Sequence, residues 1–393
     1  MKGITVVSIE QAVAAPFATR QLADLGARVI KIERPEGDFA RRYDQAVKGL
    51  SSHFVWLNRD KESLALDLKK PGSMEVLRKL LQGADVFVQN LAPGAIERLG
   101  LNPDELEAVN PRLIACSLSG YGRTGPYRLK KAYDLLIQAE SGLLHVTGTP
   151  DTPVKVGISV ADIAAGMYAF AGILAGLYQR ERTGKGFHFE VSMLESLAEW
   201  MGYPLYYGAY GGEAPPRTGA HHSTIAPYGP FPVAGGQTLF VAVQNEREWV
   251  RFCQRVLENP SLAEDPRFSS NPARVKHRPA LEAVIREVFS SLTLEKAVNR
   301  LEDAGIAYAE MRTIQGVWDH PQLEARQRWT KVGSPAGDLR VLVPPLLSPE
   351  EASFAPIPEV GAHTEAILRE LGYSDEEIRQ LEASGAVGRE RRT

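Results

Sequence analysis

Apolar positions along this chain fall into two alternating patterns, short continuous runs and longer stretches with helical spacing. That alternation predicts an α/β fold. The runs Ile4–Ile9, Ala27–Glu33, Asp85–Gln89 and Arg112–Leu118 read as buried strands. Between them, helical spacing covers Phe17–Leu25, closed by Gly26, and Pro71–Gln82, closed by Gly83. Asn102-Pro103-Asp104-Glu105 opens a further helix, with a capping Asn, Pro at the first helical position and acids in the first turn. Repeated strand–helix–strand units of this kind predict a Rossmann-like parallel sheet. The longest apolar stretch, Ile163–Tyr178, predicts a core helix buried on most sides. It carries three glycines and is shorter than the roughly 20 residues that cross a bilayer. Phe187–Met193 alternates as another strand.

From Met201 to Pro232 the chain is rich in Gly, Pro and Tyr and has no period, which marks a domain boundary. Beyond it, Phe231–Ala234 and Thr238–Val243 flank Gly235-Gly236-Gln237 as a hairpin. Helices follow over Glu246–Leu257, Pro279–Ser290 and Leu294–Ala304, and two more, Thr364–Leu371 and Ser374–Ala383, close the chain. The expected layout is a large domain over 1–200, a linker over 201–222 and a smaller α+β domain over 223–325. Residues 326–393 return to the large domain, and Gly388–Thr393 form a frayed charged tail.

Composition narrows the function. A net charge of -3 argues against a nucleic-acid binder. Two cysteines, Cys116 and Cys253, with no CxxC pair, exclude a disulfide scaffold and point to a reducing cytoplasm. The first residues lack a charged leader with a long apolar run, so a soluble, cytoplasmic protein with no membrane partner is expected. No HExxH, GxSxG, Walker loop or spaced metal-ligand set occurs, and His221 and His222, being adjacent, point in different directions. Ser117 and Ser119 have no evident His partner.

The first strand–helix turn, Gln11–Pro16, lacks dinucleotide-binding glycines, which disfavours NAD although Glu33 sits where a ribose-binding acid would. Gly120–Gly125 fits GxGxxG formally, but Pro126 follows and no helix starts within the motif; it is a ligand-side loop or a simple turn. Arg34, Lys69, Arg98, Arg123, Lys130 and Lys131 lie near predicted strand ends, where an open α/β sheet binds ligands. If they converge, they suit a polyphosphate. Asp162 is the one ionisable group at the start of the long apolar helix, either a cap or a carboxylate nucleophile.

Several motifs in one order resemble the class III CoA-transferases, the family of formyl-CoA and carnitine CoA-transferases. They are Ala14-Ala15-Pro16, Leu25–Glu33, Leu66-Asp67-Leu68-Lys69, Asn90–Gly94, Gly120-Tyr121-Gly122, Tyr133-Asp134 and Val156–Ile163. The resemblance implies that Asp162 is the catalytic aspartate, attacking an acyl-CoA through anhydride and aspartyl-CoA intermediates. It implies CoA contacts at Val13, Ala14, Arg34, Leu66, Lys69, Asn90, Leu91, Arg98 and Lys131. Tyr133, His221 and His222 become substrate-binding candidates, with Arg217 a further one for a distal carboxylate. A glycine run of formyl-CoA transferase is missing, and Ile225–Phe231 resembles transferases that pair succinyl-CoA with small dicarboxylic acids. The resemblance further implies an interlocked homodimer and a CoA thioester as substrate, with no tightly bound cofactor. The alternatives are a 2-methylacyl-CoA racemase, in which a His–Asp pair stands where this chain has Tyr133-Asp134, and a non-catalytic CoA-binding protein.

Overall fold

Strands β1 (Thr5–Ile9), β2 (Arg28–Glu33), β3 (Lys61–Ala65), β4 (Val86–Gln89), β5 (Ile114–Ser119) and β6 (Phe187–Ser192) form one sheet. Its order is β3-β2-β1-β4-β5-β6 and every pairing is parallel. The order of strand addition reverses between β1 and β4, so a crevice opens at the strands' carboxyl ends there. The computed structural model describes residues 1–388; the tail from residue 389 onward lies outside the described residues. The chain divides into two compact units.

The first unit comprises Met1–Ser141, Val156–Met201 and the chain from Gln322 onward. Val7, Ile30, Leu64, Phe87 and Ala115 are buried in one apolar core with Leu77, Leu81, Leu368 and Ile378. The last segment returns to cover the β3 edge. The Ser63 N–H donates to His363 Nδ1 and the Ala65 N–H to Thr364 Oγ1, both at 3.1 Å, and Leu66 bridges Val387. Covering an edge strand in this way blocks pairing with other chains. An antiparallel hairpin, Trp329–Val332 with Leu339–Leu342, packs on Phe54 and Ile357; the periodicity gives no signal for it.

The long helix runs Val160–Thr183, 24 residues, and Gly184 ends it in the left-handed conformation at φ +71°. It is therefore longer than its apolar run suggested, and by length and composition it could span a bilayer. Here it is a core helix on one face only. Ala161, Ala165, Ala169, Phe170 and Ile173 are buried, whereas Met167, Tyr168 and Tyr178 are exposed. Its glycines set the packing distance. A Cβ at Gly166 would lie 2.7 Å from the Ala14 carbonyl oxygen, one at Gly172 2.4 Å from Phe189 and one at Gly176 2.9 Å from Ile114. Helix α1 (Ala14–Asp24) presses on one side of this helix and the β5–β6 edge on another.

The second unit comprises Gly142–Lys155 and Gly202–Pro321. Strands β7 (Tyr228–Pro232), β8 (Thr238–Ala242) and β9 (Ala307–Glu310) form an antiparallel sheet in the order β7-β8-β9. Trp249, Phe231, Phe252, Phe268 and Phe289 fill its core with helices Arg278–Ser290 and Leu294–Ala304. Two expectations for the 201–222 linker need correction. Gly202–Gly211 is a helix, aperiodic because it buries no residue. The stretch after it is tied to Gly142–Lys155, the Gly219 N–H donating to the Gly148 carbonyl at 2.8 Å.

Candidate active site

The cations predicted near the strand ends gather where β1 to β4 terminate. A cleft of 580 Å³ is lined there by Arg34, Leu66, Lys69, Leu91 and Arg98, together with Phe39 and Arg42. Among the described residues, the side chains of Arg34, Lys69 and Arg98 have no ion-pair partner. Arg42, which the sequence reading missed, donates to the Glu36 carbonyl at 2.8 Å. The Arg98 guanidinium lies over Gly94, whose Cβ would stand 2.8 Å from it. Unpaired cations beside an apolar wall of Leu66, Leu91 and Phe39 suit a ligand with a polyanionic part and an aromatic part. Glu33 is not free for a ribose. It is buried and bound by Arg41 at 2.7 Å, the Ser63 hydroxyl at 2.6 Å and the Asp38 N–H at 2.9 Å.

Beside this cleft the loop after β1 is held from two sides. Asn90 Oδ1 accepts the Gln11 N–H at 2.9 Å and its Nδ2 donates to the Gln11 carbonyl at 2.8 Å. Ala12 adopts a positive φ of 61°, and its N–H donates to Asp38 Oδ1. Val13 and Ala14 then lead into α1 as buried residues that do not line the cleft. Asn90 thus shapes the loop rather than the cleft wall.

Asp162 is half-buried in the first turn of the long helix. Burial raises its carboxyl, nearby Asp134 raises it further, and the Ala14 N–H opposes both; the net effect pushes it up to about 7. Asp134 supplies what the helix start itself lacks. Its Oδ1 accepts the Ala161 N–H at 2.8 Å and the Asp162 N–H at 3.3 Å, capping the helix from 28 residues away. Gln138, fully buried, donates to Asp134 Oδ2 at 2.7 Å and accepts the Val156 N–H at 2.9 Å. Tyr43 lies near the Asp162 carboxyl, and Tyr133, 67% exposed, lies near Tyr43. Burial first, then Asp38, Asp162 and Tyr133, hold the Tyr43 phenol up to about 12, so it stays an O–H donor.

The remaining candidates are engaged elsewhere. Lys131 is exposed in the loop before Asp134 and does not line the cleft. Arg123 pairs with Glu97 at 3.3 Å, and Lys130 pairs with Glu140. The Gly120–Gly125 stretch is a pinned turn; its Arg123 N–H donates to Glu190 and the Gly120 carbonyl accepts the Leu194 N–H. In the second unit, His221 Nδ1 lies 3.1 Å from Glu282, and burial lowers its pKa despite that neighbour. The His222 ring stacks on Tyr228, and its Nδ1 accepts the Thr224 N–H. Arg217 is a correction. Its guanidinium donates to the carbonyls of Thr149, His145 and Pro150, so it braces backbone rather than awaiting a carboxylate. Among the described residues no group of His, Cys, Asp and Glu could hold a metal ion.

Known proteins resemble this chain over nearly its whole length. Human succinyl-CoA:glutarate CoA-transferase is 32% identical over 98% of this chain and 90% of its own. Acetyl-CoA:oxalate CoA-transferase of Acetobacter aceti is 37% identical over 84% of this chain and 85% of its own. The crystal structure of a CAIB/BAIF family protein from Brucella suis superposes with a TM-score of 0.82 at 32% identity, covering 94% of this chain and 98% of that one. Residues 1–364 match CoA-transferase family III. This chain is an enzyme of the family III CoA-transferases.

Proposed function

We propose that this enzyme moves CoA from succinyl-CoA to a small dicarboxylic acid, with Asp162 as the covalent nucleophile. The observation that carries the reading is the Asp162 carboxyl, capped into place by Asp134 and raised to about 7, so that it is both ionisable and reactive near neutral pH. The names of the relatives, which pair succinate or succinyl-CoA with glutarate, support the choice of donor and acceptor class. The cleft cations Arg34, Lys69 and Arg98 would hold the phosphates of CoA, and Leu66 and Leu91 its adenine-bearing end.

In this reading the Asp162 carboxylate attacks the thioester carbonyl, the C–S bond breaks and CoA leaves as a thiolate. The thiolate attacks the aspartyl carbonyl of the resulting anhydride, which expels succinate and leaves an aspartyl-CoA thioester. The acceptor carboxylate then displaces CoA thiolate from that thioester. Finally the thiolate attacks the acceptor's acyl carbon, releasing the new acyl-CoA and the free Asp162 carboxylate. The Tyr43 hydroxyl is a donor available to the oxyanions. Tyr133 is proposed to contact the acceptor, and the enzyme is read as a cytoplasmic homodimer.

The test is a trap. Enzyme mixed with succinyl-CoA is quenched with hydroxylamine and its peptides are mapped by mass spectrometry. A hydroxamate at Asp162, absent from Asp162→Asn, supports the reading; transfer at the wild-type rate by Asp162→Asn overturns it.

A further inference from the structure

A buried ion network lies under the cleft, and the chemistry proposed above makes no use of it. Lys31 projects from the middle of β2 and Lys61 from the first residue of β3, with side chains wholly removed from solvent, as is that of Glu10. Lys61 binds Glu10 Oε1 at 2.7 Å, and Thr19 donates its hydroxyl to Glu10 Oε2 at 2.5 Å. Lys31 binds Asp38 at 2.9 Å and the Glu10 carbonyl at 3.2 Å. Two ammonium groups and two carboxylates balance, so the network is buried without net charge.

Asp38 is the member that reaches outward in three directions. Its Oδ1 accepts the Ala12 N–H at 3.3 Å and the Ala40 N–H at 2.9 Å. It also lines the cleft. The Ala12 bond fixes the positive-φ residue two positions before Ala14, and Ala14 abuts the long helix at Gly166, one turn beyond Asp162. The Ala40 bond caps the turn Phe39–Arg42, which sends Phe39 and Arg42 to the cleft wall and leads directly into Tyr43.

We infer that Asp38 is a positioning residue that ties the cleft to the nucleophile, by holding the Ala12–Ala14 backbone against the helix that carries Asp162. The inference rests on the CoA-transfer reading above. The groups facing Asp162 are Asp134 and Tyr43, with the Ala14 N–H favouring its charged form. Of these, the Ala14 N–H and Tyr43 are reached through Asp38.

The experiment is the pH dependence of single-turnover acylation by succinyl-CoA in Asp38→Asn and Asn90→Ala. The first leaves an amide where Lys31 needs a carboxylate. The second releases the same loop from its other tether without leaving a buried charge. Expected for each is a kcat lowered about 10-fold. The midpoint of the pH profile should rise by about half a unit, as the Ala14 N–H bond favouring the charged form loosens, with no matching rise in KM for succinyl-CoA. Should Asp38→Asn not fold, Asn90→Ala decides alone. A wild-type midpoint in the folded variants, or a rise in KM with kcat unchanged, overturns the inference. If Asp162→Asn is inactive while the midpoints stay fixed, only this inference fails; an active Asp162→Asn removes the transfer reading itself.

Discussion

One oxygen of Asp134 accepts the N–H of Asp162 at 3.3 Å, so the same carboxylate that anchors the nucleophile's backbone also repels its side-chain charge. Asp134→Asn separates the two effects, because Asn keeps an acceptor oxygen and loses the charge. The acylation midpoint should move to lower pH. The Gln138 amide, which donates to Asp134 Oδ2, meets an N–H donor instead, at a cost of about 1–2 kcal/mol in urea unfolding.

Stability should fall with pH in a window set by Asp162. Its carboxyl stands at about 7 in the folded chain against about 3.9 unfolded. Between those values the folded state holds a proton that the unfolded state releases, so stability is lost as pH rises from about 4 to about 7. Asp162→Asn lacks this titration. It should match wild type near pH 4 and exceed it at pH 8 by about 1–4 kcal/mol, read as Tm against pH; equal Tm offsets at both values would contradict the burial of this carboxyl.

Gly166→Ala should cost about 1–3 kcal/mol, because its Cβ would meet backbone, the Ala14 oxygen at 2.7 Å, and backbone cannot swing aside. Relief requires α1 and the long helix to part, which draws the Ala14 N–H from Asp162. Urea midpoint and kcat should therefore fall together. Gly83→Ala, with open space at its Cβ, serves as the control.

The cleft cations should act on binding alone. Arg34→Ala, Lys69→Ala and Arg98→Ala each raise KM for acyl-CoA by about 3- to 30-fold with kcat little changed. The difference from wild type narrows in 0.5 M salt, since exposed charges are screened. Steady-state kinetics at two ionic strengths measures both effects.

Arg217→Ala should lower the unfolding midpoint of the second unit through loss of three bonds to backbone carbonyls, and protease cleavage within 142–155 should quicken. A rise in KM for the acceptor acid with the protease pattern unchanged would restore its reading as a carboxylate anchor.

Local signals in the sequence reach most of the first unit. Continuous apolar strands, Gly26 and Gly83 as stops and the Asn102 cap place β1, β2, β4 and β5, and the rule for strand ends then collects Arg34, Lys69 and Arg98 without knowledge of their contacts. β3 was not legible, because Lys61 and Glu62 open it as charges and only the partners Glu10 and Arg28 explain them there. Asp134 reads as half of a motif, while its role as a cap depends on a helix start 27 residues later. Asp38 looks like any turn aspartate until Lys31 and Ala12 close on it. Helix Gly202–Gly211 buries nothing, so no apolar stripe announces it.

The covering of β3 by the last segment has a consequence for synthesis. His363 meets Ser63 across 300 residues, and Val387 meets Leu66 later still. At about 5–20 residues per second on the ribosome, the β3 edge waits on the order of 15–60 seconds for its cover. A nascent chain therefore carries the β3 edge uncovered through most of its translation, and the contacts that close it are among the last the ribosome releases.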